Sequence, residues 1–186
     1  MSDLLLVGGG SHCRSCIDVI EAESRYGIRG IVQPLSGETD GIFGYPVVGS
    51  DEDLPSLLRE TPQALVTVGQ IRSPEIRIRL FELLKQSCGK LPRIVSPFAY
   101  CSKYAEIDEG TIVMHGAIVN AGASVGANCI INSQALIEHD AIVADHCHLS
   151  TGARVNGGVT IGNGSFIGSG AILKEGIVIG ENVIIS

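Results

Sequence analysis

The chain has 186 residues and a formal net charge of -7, with an isoelectric point near 5.1; it carries no basic run, which excludes a nucleic-acid backbone as partner. A mean hydropathy of +0.30 comes from scattered Ala, Val and Ile rather than from an unbroken apolar run of ~18 residues, so no membrane association is expected. No signal peptide follows Met1-Ser2-Asp3, and the expected location is the cytoplasm.

Leu4-Leu5-Leu6-Val7 reads as a buried strand that stops at Gly8-Gly9-Gly10-Ser11-His12, after which Ile17, Val19 and Ile20 mark the inner face of a helix. That glycine turn presents free N–H groups at a helix N-terminus, a seat suited to phosphate. A second strand is expected over Gly30 to Gln33 and a third over Tyr45 to Val48, with Ser50-Asp51-Glu52-Asp53 capping a short helix. Ala64 to Val68 is a further strand. Ser73-Pro74-Glu75 then opens a helix with Ile76, Leu80, Leu83 and Leu84 on one face, running through Cys88 to Gly89. Strands and helices alternating at this length predict a small parallel sheet of Rossmann type.

From Ala105 onward the period changes. A bulky aliphatic returns at every sixth position, fourteen times, from Ile107 through Val113, Val119 and onward to Ile185. Two residues before each stands a mostly small residue, among them Cys129 and Cys147; three residues after each stands Gly, Asn or another turn former. Helices return at three and four and sandwich strands alternate, so a period of six fits neither. It fits a three-sided coil in which each hexad supplies one short strand, and three hexads close a turn that stacks on the next at about 4.8 Å. Of the six cysteines, those of the small column read as packing residues in a reducing compartment, and Cys13-Arg14-Ser15-Cys16 reads as helix packing rather than as a redox pair.

The repeat resembles that of the left-handed parallel β-helix acyltransferases, and the hand of the coil is implied by that resemblance. Over its whole length the chain resembles the sugar acyltransferases typified by the N-acetyltransferases of bacillosamine synthesis and the sialic acid O-acetyltransferases. Residues 1–97 then form a Rossmann-like, sugar-nucleotide-binding α/β domain and residues 98–186 an all-β left-handed parallel β-helix. In that family the first turn resembles Gly-x-x-Gly-His, here Gly8 to His12 with Ser11 in place of a glycine, and a second segment matches Val66-Thr67-Val68-Gly69-Gln70. The resemblance implies Gly8, Gly10, Ser11, His12, Gly69 and Gln70 as contacts of the nucleotide sugar. Gln33-Pro34 stands where the family commonly has an acidic pair. The chain stops at Ser186 in mid-repeat, and the coil is expected to be truncated there or covered by another chain.

The hexads lose their plainness between Asn132 and His148, which hold three of the five histidines. His139 falls at a turn between Glu138 and Asp140, so its ring projects outward with a carboxylate in reach, the setting of a general base. Gly157 is one coil further on, where its N–H can face the same cleft. The family resemblance implies His139 as catalytic base, Asp140 as the residue that orients it, Gly157 as the amide that meets the thioester carbonyl, and Asn132 and His148 as contacts of the substrate or acetyl-CoA. It further implies N-acetylation of a UDP-linked 4-amino-4,6-dideoxy sugar with acetyl-CoA, with O-acetylation of sialic acid or a related nonulosonate as the alternative. A homotrimer with its site between neighbouring coils is expected on the same ground. His115 and His146 read as turn residues. The γ-carbonic anhydrases share the coil and use zinc, but the spacing of His139, His146 and His148 differs from that family's ligand pattern, and no metal is expected.

Overall fold

The computed structural model describes residues 2–34, 41–87 and 89–186. Cys88, read as part of a helix end, lies outside the described residues. Contacts divide the chain into two compact units, Met1–Gly69 with Ile76–Pro92, and Gln70–Glu75 with Arg93–Ser186.

In the first unit β1 (Ser2–Val7) is followed by α1 (Ser11–Glu23), β2 (Tyr26–Val32), β3 (Val47–Gly49), α2 (Leu54–Glu60), β4 (Ala64–Val66) and α3 (Glu75–Gln86). The four strands are parallel in the order β3-β2-β1-β4. Leu4 to Val7 are fully buried, as expected of a central parallel strand covered on both faces. The chain leaves β1 toward β2 and later returns to β4 on its other side. The C-terminal ends of β1 and β4 therefore flank the point where the winding reverses, the usual crevice for a ligand in open sheets. β2 starts four residues before the predicted Gly30, because Tyr26 to Ile28 pair with Ser2 to Leu4 while only partly buried, which leaves no apolar signal. β3 and β4 are shorter than read. Ahead of α2, Asp53 accepts from the Ser50 N–H at 2.8 Å and closes the predicted capping box.

The predicted face of α3 needs correction. Ile76 is exposed, and Arg77, Leu80, Phe81 and Leu84 are the buried set. Arg77 turns inward because the carbonyls of Val66 and Val68, just past the sheet, take its guanidinium N–H groups at 2.8 and 2.9 Å. A charge-assisted donor there satisfies oxygens that would otherwise be buried without a partner.

The second unit is a three-sided left-handed parallel β-helix. Among the described residues it holds sixteen two-residue strands, from Ile94–Val95 to Ile184–Ile185, in sheets of six, five and five. The first face includes Ile130–Ile131 and His148–Leu149, the second Leu136–Ile137 and Arg154–Val155, the third Ile142–Val143 and Thr160–Ile161. The aliphatic column from Val113 to Leu173 fills the interior. The coil begins two hexads before the sequence series and before residue 98, since Ile94 and Tyr100 already pair with Ile112 and Ile118. Val95 and Cys101 occupy its inward column, and the cysteine hid the period there.

The small column has a division of labour. On two corners it is mostly Ala, and the residue's N–H closes the turn on the carbonyl three residues back, as Ala135 does on Asn132 at 3.0 Å. On the corner between third and first faces stand Thr111, Cys129, Cys147 and Ser165, each inserted into the turn of the next coil. The Thr111 hydroxyl donates to the Gly126 carbonyl at 2.7 Å and accepts the Cys129 N–H at 2.9 Å. The Cys129 thiol donates to Ala144 at 3.2 Å and accepts the Cys147 N–H at 3.4 Å; Ser165 repeats the bridge to Gly180 and Val183. Cys129→Ala should leave a buried N–H and C=O unbridged, at a cost of about 1–3 kcal/mol, while Cys129→Ser should cost far less; urea denaturation of the two variants checks this.

Candidate active site

His139 stands at the corner between the second and third faces, in the turn linking Leu136–Ile137 to Ile142–Val143. Its side chain is 61% exposed, and Nδ1 lies 2.9 Å from Asp140 Oδ2. Asp140 has φ of 59°, and four successive turns, at Asn128, Gln134, Asp140 and His146, place a non-glycine residue in the left-handed region that the other turns mostly give to glycine. Each such residue costs roughly 1–2 kcal/mol, less for Asn and Asp. Asn182 in the last coil is a fifth such turn, but four in succession occur only around His139, and the repeat departs from its own structural optimum there.

The Asp140 hydrogen bond raises the affinity of His139 for a proton, and the nearby charges of Asp140, Glu138 and Glu175 add to it, against a smaller opposing effect of desolvation. With Nδ1–H donated to the carboxylate, Nε2 is the basic atom. It overhangs the next coil: a Cβ built on Gly157 would lie 2.7 Å from Nε2 and 2.8 Å from Cε1. The Gly157 N–H meets no backbone acceptor among the described residues, so a base and a free amide donor face one small space. Glu138 is anchored by Asn120, whose Nδ2 donates at 2.8 Å. Neither Asn120 nor Glu175 was singled out from the sequence, although both share the 18-residue period with the site, Asn120 with Glu138 and Glu175 with Gly157 and His139.

Asn132 and His148 form a second constellation on the first face, and a single chain does not bring it to His139. His148 is 6% exposed, its Nδ1 is hydrogen-bonded to the Gln70 carbonyl, Nε2 lies 3.3 Å from Asn132 Nδ2, and its ring meets Phe166 edge-on. Nδ1 must carry the proton toward a carbonyl, which leaves Nε2 to accept from the Asn132 amide. Gln70 is buried with its Nε2 donating to Gly164 at 3.1 Å, and its Oε1 has no partner among the described residues. His146 pairs with Asn128 at another corner and His115 with Ser96. No group of three or more His, Cys, Asp or Glu among the described residues is placed to hold a metal.

In the first unit the predicted Gly8, Gly10, Ser11 and His12 form the link from β1 to α1. Gly8 has φ of 115°, and any side chain there would run into Val68. The Thr67 hydroxyl donates to the Gly8 carbonyl at 2.6 Å, and a Cβ on Gly69 would touch His12, so the two segments read separately in the sequence meet at the ends of β1 and β4. α1 begins after Gly10 without a side-chain cap, which leaves its first N–H groups open to an anion. Cys13 and Cys16 are buried, and desolvation pushes both thiols up, as packing residues require. No helix among the described residues is long and apolar enough to cross a membrane.

Residues 3–84 match the family described as PglD N-terminal domain. The acetyltransferase domain of PglB from Neisseria gonorrhoeae FA1090 superposes with a TM-score of 0.91 at 30% identity, over 99% of this chain and 88% of that one. The chain belongs to the hexapeptide-repeat sugar acetyltransferases. The same PglB domain has a structure in complex with acetyl coenzyme A, matched at 31% identity over 98% of this chain and 86% of that one with a TM-score of 0.91. A histidine-to-asparagine variant of perosamine N-acetyltransferase from Caulobacter crescentus, in complex with CoA and GDP-perosamine, matches with a TM-score of 0.83 at 27% identity, over 99% of this chain and 93% of that one. No curated protein matches the chain.

Proposed function

We propose that the protein transfers the acetyl group of acetyl-CoA to the amine of a nucleotide-linked 4-amino-dideoxy sugar, a step of surface-glycan synthesis in the cytoplasm. The observation that carries this reading is His139, held through Nδ1 by Asp140 with Nε2 over the free N–H of Gly157. Nε2 takes the proton from the attacking nitrogen as the C–N bond forms. The Gly157 N–H donates to the thioester oxygen as it gains charge, and the imidazolium returns its proton to the departing sulfur. The turn of Gly8, Gly10, Ser11 and His12 with Gly69 receives the nucleotide phosphates; the buried side chain of Gln70 contributes through its placement of the segment after Gly69. Relatives bound to acetyl coenzyme A and to GDP-perosamine support the choice of substrate class.

The active form is a homotrimer in this reading. The second face, next to the His139 corner, exposes Tyr100, Ile118 and Ile172, with the half-buried Leu136 and the exposed Arg154 between the last two, a mixed apolar and basic strip suited to a second copy. Packing coils in that way brings the corner of one toward a face of another, where Asn132 and His148 contact the donor or acceptor.

Incubation with acetyl-CoA and either UDP- or GDP-linked 4-amino-4,6-dideoxy sugars, alongside a nonulosonate, tests the function by mass gain of one acetyl. Transfer to a nucleotide-linked amine is expected, with the UDP-sugar as the first expectation. Transfer to the nonulosonate hydroxyl and to no amine would overturn it in favour of O-acetylation.

A further inference from the structure

The connection from β2 to β3 ends in a tight hairpin whose chemistry does not suit its shape. Ile42 and Tyr45 close it by exchanging both backbone hydrogen bonds, at 3.0 and 2.9 Å, and the two residues between them, Phe43 and Gly44, have φ of 51° and 87°. Two central residues with positive φ make a type I′ turn, which asks for Asn, Asp or Gly in first place. A phenyl side chain there strains the backbone, and burial does not offset the strain, since Phe43 is 65% exposed. Strain of this kind collects at ligand clamps. The hairpin is fastened to one face of α1 at two points, seven residues apart. The Tyr45 hydroxyl donates to Glu21 at 2.8 Å, and the Arg14 guanidinium lies over the Phe43 ring, 5.3 Å from its centroid. Arg14 belongs to the first turn of α1, about 4.5 Å along the axis from Ser11, so the ring stands beside the phosphate seat of Gly8 to His12. At the exit of β2, Gln33 lays its amide against Gly9, where a Cβ would run into it. Sheets wound in this way put a ribose at the end of the second strand. Phosphate seat, amide and exposed ring are thus gathered around the start of α1.

We propose that Phe43 is the platform on which the nucleobase of the acceptor stacks, with Arg14 fixing the ring from behind. The proposal rests on the nucleotide-sugar reading above and adds how the nucleoside end is held. Arg14 covers one face of the ring, and most of the rest is open to solvent. An open aromatic face gives a base the offset contact that flat rings favour. Because Arg14 pins the ring before the ligand arrives, less side-chain freedom is lost on binding. Every base has a π-face, so stacking selects a nucleotide over a bare sugar phosphate without choosing sharply among bases. Phe43 therefore reads the presence of a base more than its identity, and the larger guanine gains more from it than uracil.

The test is ligand binding by the full chain, read by calorimetry with UDP, GDP and ribose 5-phosphate as probes. Phe43→Asn supplies a residue the turn prefers, so the melting temperature should hold or rise, while UDP and GDP should bind about tenfold more weakly. Ribose 5-phosphate, which has no base, should bind parent and variant alike. Phe43→Tyr should keep the affinities of the parent. The chain contains no tryptophan, so Phe43→Trp installs a single indole at the platform; its fluorescence should be quenched by UDP and GDP and not by ribose 5-phosphate. A parent that binds both nucleotides, with a Phe43→Asn variant of equal affinity and an indole that does not respond, overturns the platform alone. A Phe43→Asn variant weakened equally toward ribose 5-phosphate assigns Phe43 to the shape of the phosphate seat and also overturns it. A parent that binds neither nucleotide overturns the nucleotide-sugar reading and this one with it.

Discussion

His139→Ala should lower turnover by about 10²–10⁴-fold, the usual worth of a positioned general base. The melting temperature should stay where it is. Both halves follow from the position of the ring: it is 61% exposed at an outer turn, supports nothing in the aliphatic interior, and offers Nε2 to the space over Gly157. His139→Asn keeps much of the shape and none of the basicity, so it should lose nearly as much. The base must be neutral to act, so kcat/KM should rise with pH through the imidazole pKa. Asp140 is the first cause of the upward shift of that pKa, and Asp140→Asn should therefore carry the inflection to lower pH while slowing the plateau through a less well held ring. Activity within a few-fold of the parent after His139→Ala would place the base elsewhere, and the acetyltransferase reading would then stand on family membership alone.

The coil was legible because it asks one thing of the chain at fixed intervals: an aliphatic inward and a turn former three residues later. The His139 corner was legible for the same reason, since a spacing of 18 residues means one coil, and one coil puts Gly157 over His139. The same arithmetic reaches Glu175 and the Thr111, Cys129, Cys147 and Ser165 bridge, but those need every third member of a column compared with the other two thirds, whose Ala residues mask it. Asn132 and His148 are close to His139 in sequence and far from it around the prism, because six residues move the chain to another face. Arg77 was the least legible. Its inward turn answers two carbonyls contributed by Val66 and Val68 at the end of a different strand, and no periodicity within α3 reports the needs of a neighbouring element.

Gly157→Ala should cost turnover about 10²-fold with little loss of stability, a magnitude set by displacing a catalytic group by about 1 Å. Gly157 is not among the residues with left-handed backbone, whereas Gly158 beside it has φ of 66°, so alanine takes the backbone of position 157 without strain. Its Cβ would stand 2.7 Å from His139 Nε2. One of them must move, and the ring is the movable partner, since it is solvent-exposed and, among the described residues, is anchored through Asp140 alone. The methyl group leaves the Gly157 N–H in the chain, so loss of the oxyanion donor is not what the substitution tests; it tests whether the ring has to sit where it does. A double-variant cycle separates the two effects. If alanine acts by displacing the base, the His139→Ala, Gly157→Ala pair should be no slower than His139→Ala by itself, because a ring already removed cannot be pushed aside. If the losses multiply, the methyl group obstructs the acyl carbonyl at the Gly157 amide independently of the base, and the coupling between His139 and Gly157 inferred from their stacking does not govern the rate.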